Sequence, residues 1–240
     1  MPREVASRVV VEARAVARRF GNGSVSVNAL NDVSLSVRRG EVVALMGPSG
    51  CGKTTLLHLL GGLDVPDAGI VFIEGADWSM LSGNARARMR RRRCGFVFQS
   101  FGLLPMVTAF ENVDVPLLLD GRDGSVRRRW VESMLDRVGL ADKASQFPDQ
   151  LSGGEQQRVA IARALVHAPA VVLADEPTGS LDSATAMEVT ALLVSAARGH
   201  DAAVVLVTHD ERVAAHADRI VRIDSGRLVE PAMSASRTSS

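Results

Sequence analysis

The chain has 240 residues, of which 46% are hydrophobic and 23% charged, and this balance excludes disordered and collagen-like proteins. Its length predicts one large domain, or one domain that carries an insert. Basic and acidic residues nearly cancel, at 28 and 27 with a net charge of +1, which argues against a general polyanion-binding protein.

Cysteine usage and hydropathy favour a reducing, cytoplasmic location. The two cysteines, Cys51 and Cys94, cannot build a disulfide framework. The N-terminal residues lack the apolar core of a secretory signal, and no apolar run approaches the ~18 residues of a membrane-spanning helix. Any role at a membrane is therefore expected to come through a partner.

Alternating apolar residues predict a small antiparallel β part at the start of the chain, in residues 9–16 and 33–37, around a turn at residues 21–23. Helix-length segments such as residues 54–60 and 159–165 lie between several short apolar runs. This alternation predicts an α/β fold with a mainly parallel core sheet. The buried strands of that sheet are expected at residues 42–46, 71–73, 96–98, 171–174 and 203–207.

A complete phosphate-binding loop pattern follows the strand predicted at residues 42–46 and opens the next helix. In such a loop, glycines let backbone N–H groups cradle phosphate oxygens, and the helix N-terminus adds a favourable dipole. Lys53 would reach the β- and γ-phosphates, and the Thr54 hydroxyl would bind Mg²⁺. A glycine-rich turn without a ligand is the alternative. The predicted phosphate-binding residues are Gly47, Pro48, Ser49, Gly50, Cys51, Gly52, Lys53, Thr54 and Thr55.

Six arginines crowd into residues 86–93. Binding of single-stranded nucleic acid would require aromatic side chains interleaved among them for stacking, and the run contains none. We expect a solvated helix here, with proximity to anionic lipid headgroups as the second interpretation and nucleic-acid binding as the third. No specific nucleic-acid partner is expected.

Residues 100–157 carry few strand signals and predict a helical subdomain with two helices, one of them around residues 126–138. Residues 1–230 then form a single domain, whose core lies in residues 1–99 and 158–230. The small and polar residues 231–240 predict a disordered tail.

The segment Leu-Ser-Gly-Gly-Glu-Gln-Gln at residues 151–157 predicts a second anion site. Ser152, Gly153 and Gly154 would cap a helix that runs through Arg163, leaving N–H groups and a hydroxyl directed outward. An ordinary helix cap after a loop is the alternative, but it does not explain why the chain has two such sites.

Two carboxylates follow the strand predicted at residues 171–174. At the strand end that faces the phosphate loop, Asp175 would hold magnesium, and Glu176 could polarise the attacking water as a general base. Acidic residues also end strands by chance, so this pair indicates a catalytic site only because the chain also contains the phosphate-binding loop. No Asn-Lys-x-Asp motif is present, which argues against a GTPase.

From about residue 9 to residue 230, the chain resembles the ATP-binding-cassette (ABC) ATPases. Residues 151–157 are similar to the signature motif of that family, which closes over the γ-phosphate of ATP held by the other subunit. The resemblance therefore implies a head-to-tail homodimer with two ATP molecules. It also implies that the opposite subunit's ATP is contacted by Ser152, Gly153, Gly154 and Glu155.

The same resemblance implies roles for residues in other loops. Gln99 matches the glutamine that contacts Mg²⁺ and senses the membrane partner, and Asp182 matches the D-loop aspartate. His209 matches the switch histidine at the γ-phosphate, and it completes the predicted catalytic set with Glu176 and Lys53.

Phe20 stands where the family places an aromatic residue that stacks on adenine, most often a tyrosine; phenylalanine offers the same face without the hydroxyl. Three stretches, residues 58–69, 96–119 and 174–185, resemble one branch of the family. That branch comprises the ATPase subunits for lipoprotein release, macrolide or peptide export, and the related cell-division complex. Ser180 departs from the branch, which usually has asparagine at this position.

The leading hypothesis is a subunit that hydrolyses ATP with Mg²⁺ and couples the closure of its dimer to a membrane permease. The permease would hold this subunit at the inner face of the cell membrane. One rival is a soluble cassette that acts on ribosomes or DNA, but the chain has neither a second cassette nor a coiled-coil insert. Another rival is a binding scaffold with weak turnover. This rival is disfavoured because a scaffold would be free to lose the catalytic residues, whereas the chain has Lys53, Asp175, Glu176 and His209.

The permease is expected to dock on residues 99–116, which are rich in apolar residues and poor in strand signals. Since the segment begins at Gln99, the movement of a docked partner would reach the active site through one short loop. The alternative is that the helical subdomain buries this segment itself. The apolar side chains in question are Leu103, Leu104, Met106, Val107 and Phe110.

Overall fold

The computed structural model describes residues 9–21 and 26–231. Two sheets organise this part of the chain. The smaller sheet is antiparallel, and its four strands lie in the order β2-β1-β4-β5. Their bounds are β1 Val9–Phe20, β2 Val27–Arg38, β4 Ala68–Ile73 and β5 Ala76–Asp77.

The larger sheet has six strands in the order β10-β9-β3-β8-β7-β6. Its neighbouring strands are parallel, except that β10 runs antiparallel to β9 at one edge. Both central strands β3 and β8 are buried at every position, as expected of parallel strands covered on both faces. The strands are β3 Val42–Met46, β6 Cys94–Phe98, β7 Val171–Asp175, β8 Ala203–Val207, β9 Arg219–Asp224 and β10 Arg227–Pro231.

Helices cover both faces of the larger sheet. One hydrophobic cluster joins the two sheets through α1, and a second packs α3, α4, α5 and α6 against the opposite face. The helices are α1 Lys53–Leu60, α2 Gly83–Arg93, α3 Ala109–Leu119, α4 Gly124–Arg137, α5 Gly153–Leu165, α6 Ser183–Arg198 and α7 Glu211–Ala214.

The predicted α/β fold with a mainly parallel core sheet and an antiparallel N-terminal part is confirmed. All five predicted strand runs lie in strands, although 71–73 belongs to the smaller sheet rather than to the core sheet. The strands β1 and β2 are longer than the sequence predicts, because long-range pairing extends them. Arg18, near the end of β1, forms ion pairs with Asp64 at 2.8 Å and Asp67 at 2.7 Å.

The arginine run lies in α2, none of whose residues is buried, which is the arrangement of a solvated helix. The helix expected around residues 126–138 is α4. The division into a core and a helical subdomain remains a prediction, and α5 runs across the boundary expected at residue 158. Residues 22 and 23 of the predicted turn and residues 232–240 of the predicted tail lie outside the described residues.

Candidate active site

The phosphate loop joins β3 to α1 and borders a cleft of about 820 Å³. Gly52, at the start of α1, has a left-handed backbone with φ 106°, and a Cβ there would lie 2.3 Å from the Ala29 carbonyl oxygen. Only glycine fits this position, because the backbone approaches a neighbouring strand so closely. At Gly52 the loop therefore consists of backbone alone.

Lys53 places a buried positive charge at the base of the cleft. Its Nζ donates hydrogen bonds to the carbonyl oxygens of Gly47 at 2.8 Å and Pro48 at 2.7 Å. No carboxylate of the described residues pairs with it. Because a buried cation without an anionic partner attracts anions strongly, this lysine suits a phosphate group.

The register of the larger sheet aligns three of the predicted functional loops. Phe98 of β6 pairs with Asp175 of β7, and Asp175 pairs with Val207 of β8. The residues that follow these strand ends therefore emerge at one edge of the sheet, where ligands of open α/β sheets bind. These residues are Gln99, Glu176 and His209, and all three line the cleft beside the phosphate loop.

A pair of oxygen donors links the phosphate loop to this edge. The Thr54 hydroxyl donates to Oδ1 of Asp175 at 3.2 Å. A hydroxyl and a carboxylate are the kinds of ligand that Mg²⁺ prefers, with the remaining positions taken by water and substrate phosphates. The two residues therefore fit the magnesium that the sequence analysis assigns to them.

Glu176 and His209 contact each other directly. His209 Nδ1 lies 3.0 Å from both carboxylate oxygens of Glu176, so the imidazole N–H is shared between them. Glu176 has a left-handed backbone with φ 45°, and its N–H donates to the Val207 carbonyl oxygen at 3.0 Å. Since a non-glycine residue in this conformation is strained, the surrounding strands must hold it there.

Phe20 also lines the cleft and is 44% exposed. The Arg18 guanidinium lies 4.9 Å from the centre of its ring and covers one face. A flat base can stack on the aromatic surface that remains.

Most of the predicted nucleotide-binding residues line this one cleft, but Cys51 and Asp175 do not. Cys51 is buried behind the loop, and Asp175 reaches the site through Thr54. The residues on the cleft wall are Phe20, Gly47, Pro48, Ser49, Gly50, Gly52, Lys53, Thr54, Thr55, Gln99, Glu176 and His209.

The predicted signature residues Ser152, Gly153, Gly154 and Glu155 do not line the cleft. Ser152 caps α5, since its Oγ accepts from the Glu155 N–H at 3.3 Å and the Glu155 carboxylate accepts from the Ser152 N–H at 2.8 Å. That backbone N–H is the main cause that lowers the pKa of Glu155. The first-turn N–H groups of Gly153 and Gly154 have no partner within the helix.

Asp182 likewise lies outside the cleft, where it caps α6. Its carboxylate accepts from the N–H groups of Ala184 at 3.0 Å and Thr185 at 3.1 Å. The Thr185 hydroxyl, 2.6 Å from Oδ2, is the main cause that lowers the pKa of Asp182. This aspartate is therefore held as an anion at a helix N-terminus.

Two residues of α5 that the sequence analysis missed support the site. The buried Gln157 donates to the carbonyl oxygens of Pro177 at 2.5 Å and Phe98 at 3.3 Å, which ties the ends of β6 and β7 together. Arg163 donates to Gly102 O at 2.7 Å. Two adjacent glutamines on an amphipathic helix mark this position in the sequence. Only the orientation of the folded helix shows that Gln157, and not Gln156, points inward.

Within residues 9–21 and 26–231, no helix is long and apolar enough to cross a membrane.

Comparison with known proteins places the chain in a well-populated family. The model of the ABC transporter family matches residues 30–179, more than half of the chain. The lipoprotein-releasing system ATP-binding protein LolD of Xanthomonas campestris pv. campestris is 45% identical over 94% of this chain and 95% of its own length. The macrolide export ATP-binding/permease protein MacB of Sodalis glossinidius is 47% identical over 92% of this chain but only 34% of its own length.

Among solved structures, the ATP-binding cassette MJ0796, a dimer in a post-hydrolysis state bound to ADP and Pi, superposes with a TM-score of 0.84. It is 40% identical over 92% of this chain and 97% of its own. Together with the phosphate loop, the acidic strand end and the histidine, these likenesses show that the chain belongs to the ABC transporter family, as an ATP-binding and ATP-hydrolysing subunit.

Proposed function

We propose that the chain is a Mg²⁺-dependent ATPase that closes as a head-to-tail homodimer and thereby drives a membrane permease. One observation carries the catalytic part of this proposal. The Thr54–Asp175 contact and the Glu176–His209 contact meet at one edge of the core sheet, beside the phosphate loop.

In this proposal the loop N–H groups and Lys53 bind the phosphates, and Phe20 stacks on the adenine. Glu176 accepts a proton from the attacking water, while His209 orients its carboxylate through the shared hydrogen bond. Thr54, Asp175 and Gln99 would hold the magnesium ion, which neutralises charge on the β- and γ-phosphates when it is bound.

The homodimer is supported by the position of the signature residues. They cap α5 away from the chain's own cleft, and the first-turn N–H groups of Gly153 and Gly154 suit an anion that a second subunit presents. The dimeric state of MJ0796 supports the same arrangement. We propose that Ser152, Gly153, Gly154 and Glu155 contact the partner's ATP and that Asp182 lies at the same interface.

The permease part of the proposal is supported by the surface of residues 99–116. Leu104 is 47% exposed and Met106 is 85% exposed, whereas Leu103 and Phe110 pack against the core. The apolar segment is therefore only partly buried by the protein itself. Since LolD and MacB are named for lipoprotein release and macrolide export, we propose a permease of that general kind, which would hold this subunit at the inner face of the membrane.

The catalytic assignment is tested by replacing Lys53 with alanine. The variant should lose ATP binding, because the buried cation at the phosphates is removed, and EDTA should stop hydrolysis by the unmodified protein. Binding of a fluorescent ATP analogue and phosphate release are the measurements, and Arg88→Ala on the exposed face of α2 is the control. Hydrolysis by Lys53→Ala at the wild-type rate would contradict the assignment.

A further inference from the structure

Arg18 lies against the phenylalanine that borders the nucleotide cleft. Arg18 and Phe20 stand two positions apart in β1, so their side chains leave the strand on the same face of the smaller sheet. The guanidinium carbon is 4.9 Å from the centre of the Phe20 ring, within the range of a cation–π contact. Because Arg18 covers one face of the ring, a base can stack only on the other face.

Two aspartates of the segment between α1 and β4 hold the guanidinium of Arg18 in place. Its Nε and Nη2 donate to the two carboxylate oxygens of Asp64, at 2.8 Å and 3.0 Å, and its Nη1 donates to Oδ1 of Asp67 at 2.7 Å. All three nitrogens are therefore engaged. A bidentate pair of this kind fixes the plane of an arginine, and the half-buried position of Arg18 shelters the ion pairs in part from solvent.

Asp67 fastens the same arrangement to the backbone of β1. Its Oδ2 accepts from the Arg19 N–H at 2.6 Å, and its own N–H donates to the Ala17 carbonyl oxygen at 2.9 Å. The Arg19 N–H is also the main cause that lowers the pKa of Asp67. This aspartate therefore holds the strand on both sides of Arg18, directly before Phe20.

The two aspartates follow the helix that begins at the phosphate loop. The N–H of Leu63, next to Asp64, donates to the carbonyl oxygen of His58 in the last turn of α1 at 2.9 Å. A short path of hydrogen-bonded groups thus runs from the end of α1 through Asp64 and Arg18 to the Phe20 ring. The phosphate loop and the ring are therefore positioned relative to each other through α1.

We infer that Arg18 is a positioning residue for the base of ATP: braced by Asp64 and Asp67, it holds the Phe20 ring with one face open to adenine. The inference rests on the proposed function, because it explains how the stacking assigned to Phe20 is achieved. A phenylalanine ring has no hydroxyl that could anchor its edge, so contacts with its faces must fix its orientation. Val27, which pairs with Phe20 across the sheet, adds an exposed apolar neighbour on the cleft wall.

The test measures ATP affinity and turnover of Arg18→Met, which keeps an unbranched side chain but removes the cation. The Kd and the KM for ATP should rise about 3–10-fold, as expected for loss of a partly sheltered cation–π contact, while kcat at saturating ATP stays unchanged. Arg18→Lys, which keeps a cation over the ring, should restore most of the affinity. Arg14→Met is the matched control and should bind ATP normally, since Arg14 lies 4.7 Å from the Phe72 ring on the same strand but outside the nucleotide cleft.

A double-mutant cycle with Phe20→Ala separates the positioning of the ring from a merely structural role of Arg18. In the Phe20→Ala background, Arg18→Met should change the Kd for ATP by less than about twofold, because the ring that Arg18 holds is gone. Thermal unfolding checks that each variant is folded. Asp64→Asn, which weakens the brace but keeps Arg18, is the second variant if Arg18→Met does not fold, and it should raise the Kd only when Phe20 is present.

An unchanged Kd in Arg18→Met, an equal loss of affinity in both backgrounds, or a fall in kcat without a rise in KM would overturn the inference. Phe20→Ala distinguishes this failure from that of the proposed function. Weaker ATP binding by Phe20→Ala with an unchanged Kd in Arg18→Met would reject the role of Arg18 and leave the stacking in place. Unchanged ATP binding by Phe20→Ala would contradict the stacking itself, and the role of Arg18 with it.

Discussion

Glu176, the proposed general base, is positioned by backbone geometry as well as by its side-chain contacts. Its strained conformation, at φ 45°, is fixed by the hydrogen bond from its N–H to Val207 O and by the contact of its carboxylate with His209. The carboxylate side chain is only 20% exposed, whereas His209 is 74% exposed. The carboxylate is therefore enclosed by the protein, while the histidine that contacts it is open to the cleft.

Replacing Glu176 with glutamine should slow ATP hydrolysis by at least about 100-fold while ATP still binds, because the amide keeps the shape but accepts a proton poorly. Phosphate release in single-turnover conditions measures the rate. Glu188→Gln, which changes an exposed carboxylate on α6, should hydrolyse ATP at the wild-type rate. A Glu176→Gln variant as fast as Glu188→Gln would mean that another group is the base.

His167 makes the stability of the fold depend on pH. Burial lowers its pKa to about 4, and its imidazole lies 3.2 Å from the Cys94 carbonyl oxygen. Since an unfolded histidine has a pKa of about 6.5, the unfolded chain binds the extra proton between about pH 6.5 and pH 4. Stability is therefore lost as the pH falls through this window.

The contribution of His167 should reach roughly 2 kcal/mol at the acid end, after allowance for its partial exposure. Urea unfolding of the chain and of His167→Gln from about pH 8 to pH 5 measures it. The variant should lose less stability on acidification than the unmodified chain, whatever its stability at pH 8. Parallel pH profiles for the two proteins would show that this histidine does not titrate on unfolding.

At the scale of the elements, α5 connects the parts of the site. Its N-terminus carries Ser152, its buried face ties β6 to β7 through Gln157, and its last turn holds the Phe101–Gly102 backbone through Arg163. A movement of α5 would therefore displace the signature residues, the acidic strand end and the loop after Gln99.

Gln157→Leu should lower the free energy of unfolding by about 1–3 kcal/mol, because it leaves the carbonyl oxygens of Phe98 and Pro177 unpaired. It should also slow hydrolysis, since Gln99 and Glu176 directly follow the strands that it ties together. Gln156→Leu, at a half-buried neighbour, is the control and should have smaller effects on both. Wild-type stability and rate in Gln157→Leu would show that this tie is dispensable.

The sequence predicts elements and loops well where the signal is local. Buried strands follow from short apolar runs, and the phosphate loop follows from its own spacing. Residues whose role depends on helix rotation or on distant partners are not predictable in this way. Gln156 and Gln157 are equivalent in the sequence, and the two partners of Arg18, Asp64 and Asp67, lie in a different segment.

The strand β9 illustrates the same limit. The strand β9 carries charged residues at Arg219, Arg222 and Asp224, so its apolar signal is weak. It is a strand because it pairs with β3 and β10. Only the assembled sheet supplies that stabilisation.

At the scale of the whole molecule, each chain holds one phosphate-binding cleft and one signature helix cap that faces elsewhere. In the proposed mechanism a complete site therefore requires two chains. ATP should act as the bridge between them, and hydrolysis should release it. Closure of the dimer is then the motion that a partner docked near α5 would sense.

The measurement that tests this account most directly is size-exclusion chromatography with light scattering on Glu176→Gln in the presence of ATP and Mg²⁺. The variant should elute as a dimer with ATP and as a monomer without it. Adding Ser152→Arg should abolish the dimer but not ATP binding, whereas adding Ser82→Arg, at the N-cap of α2, should leave the dimer intact. A Glu176→Gln protein that binds ATP yet stays monomeric, or a dimer that survives Ser152→Arg, would contradict the account.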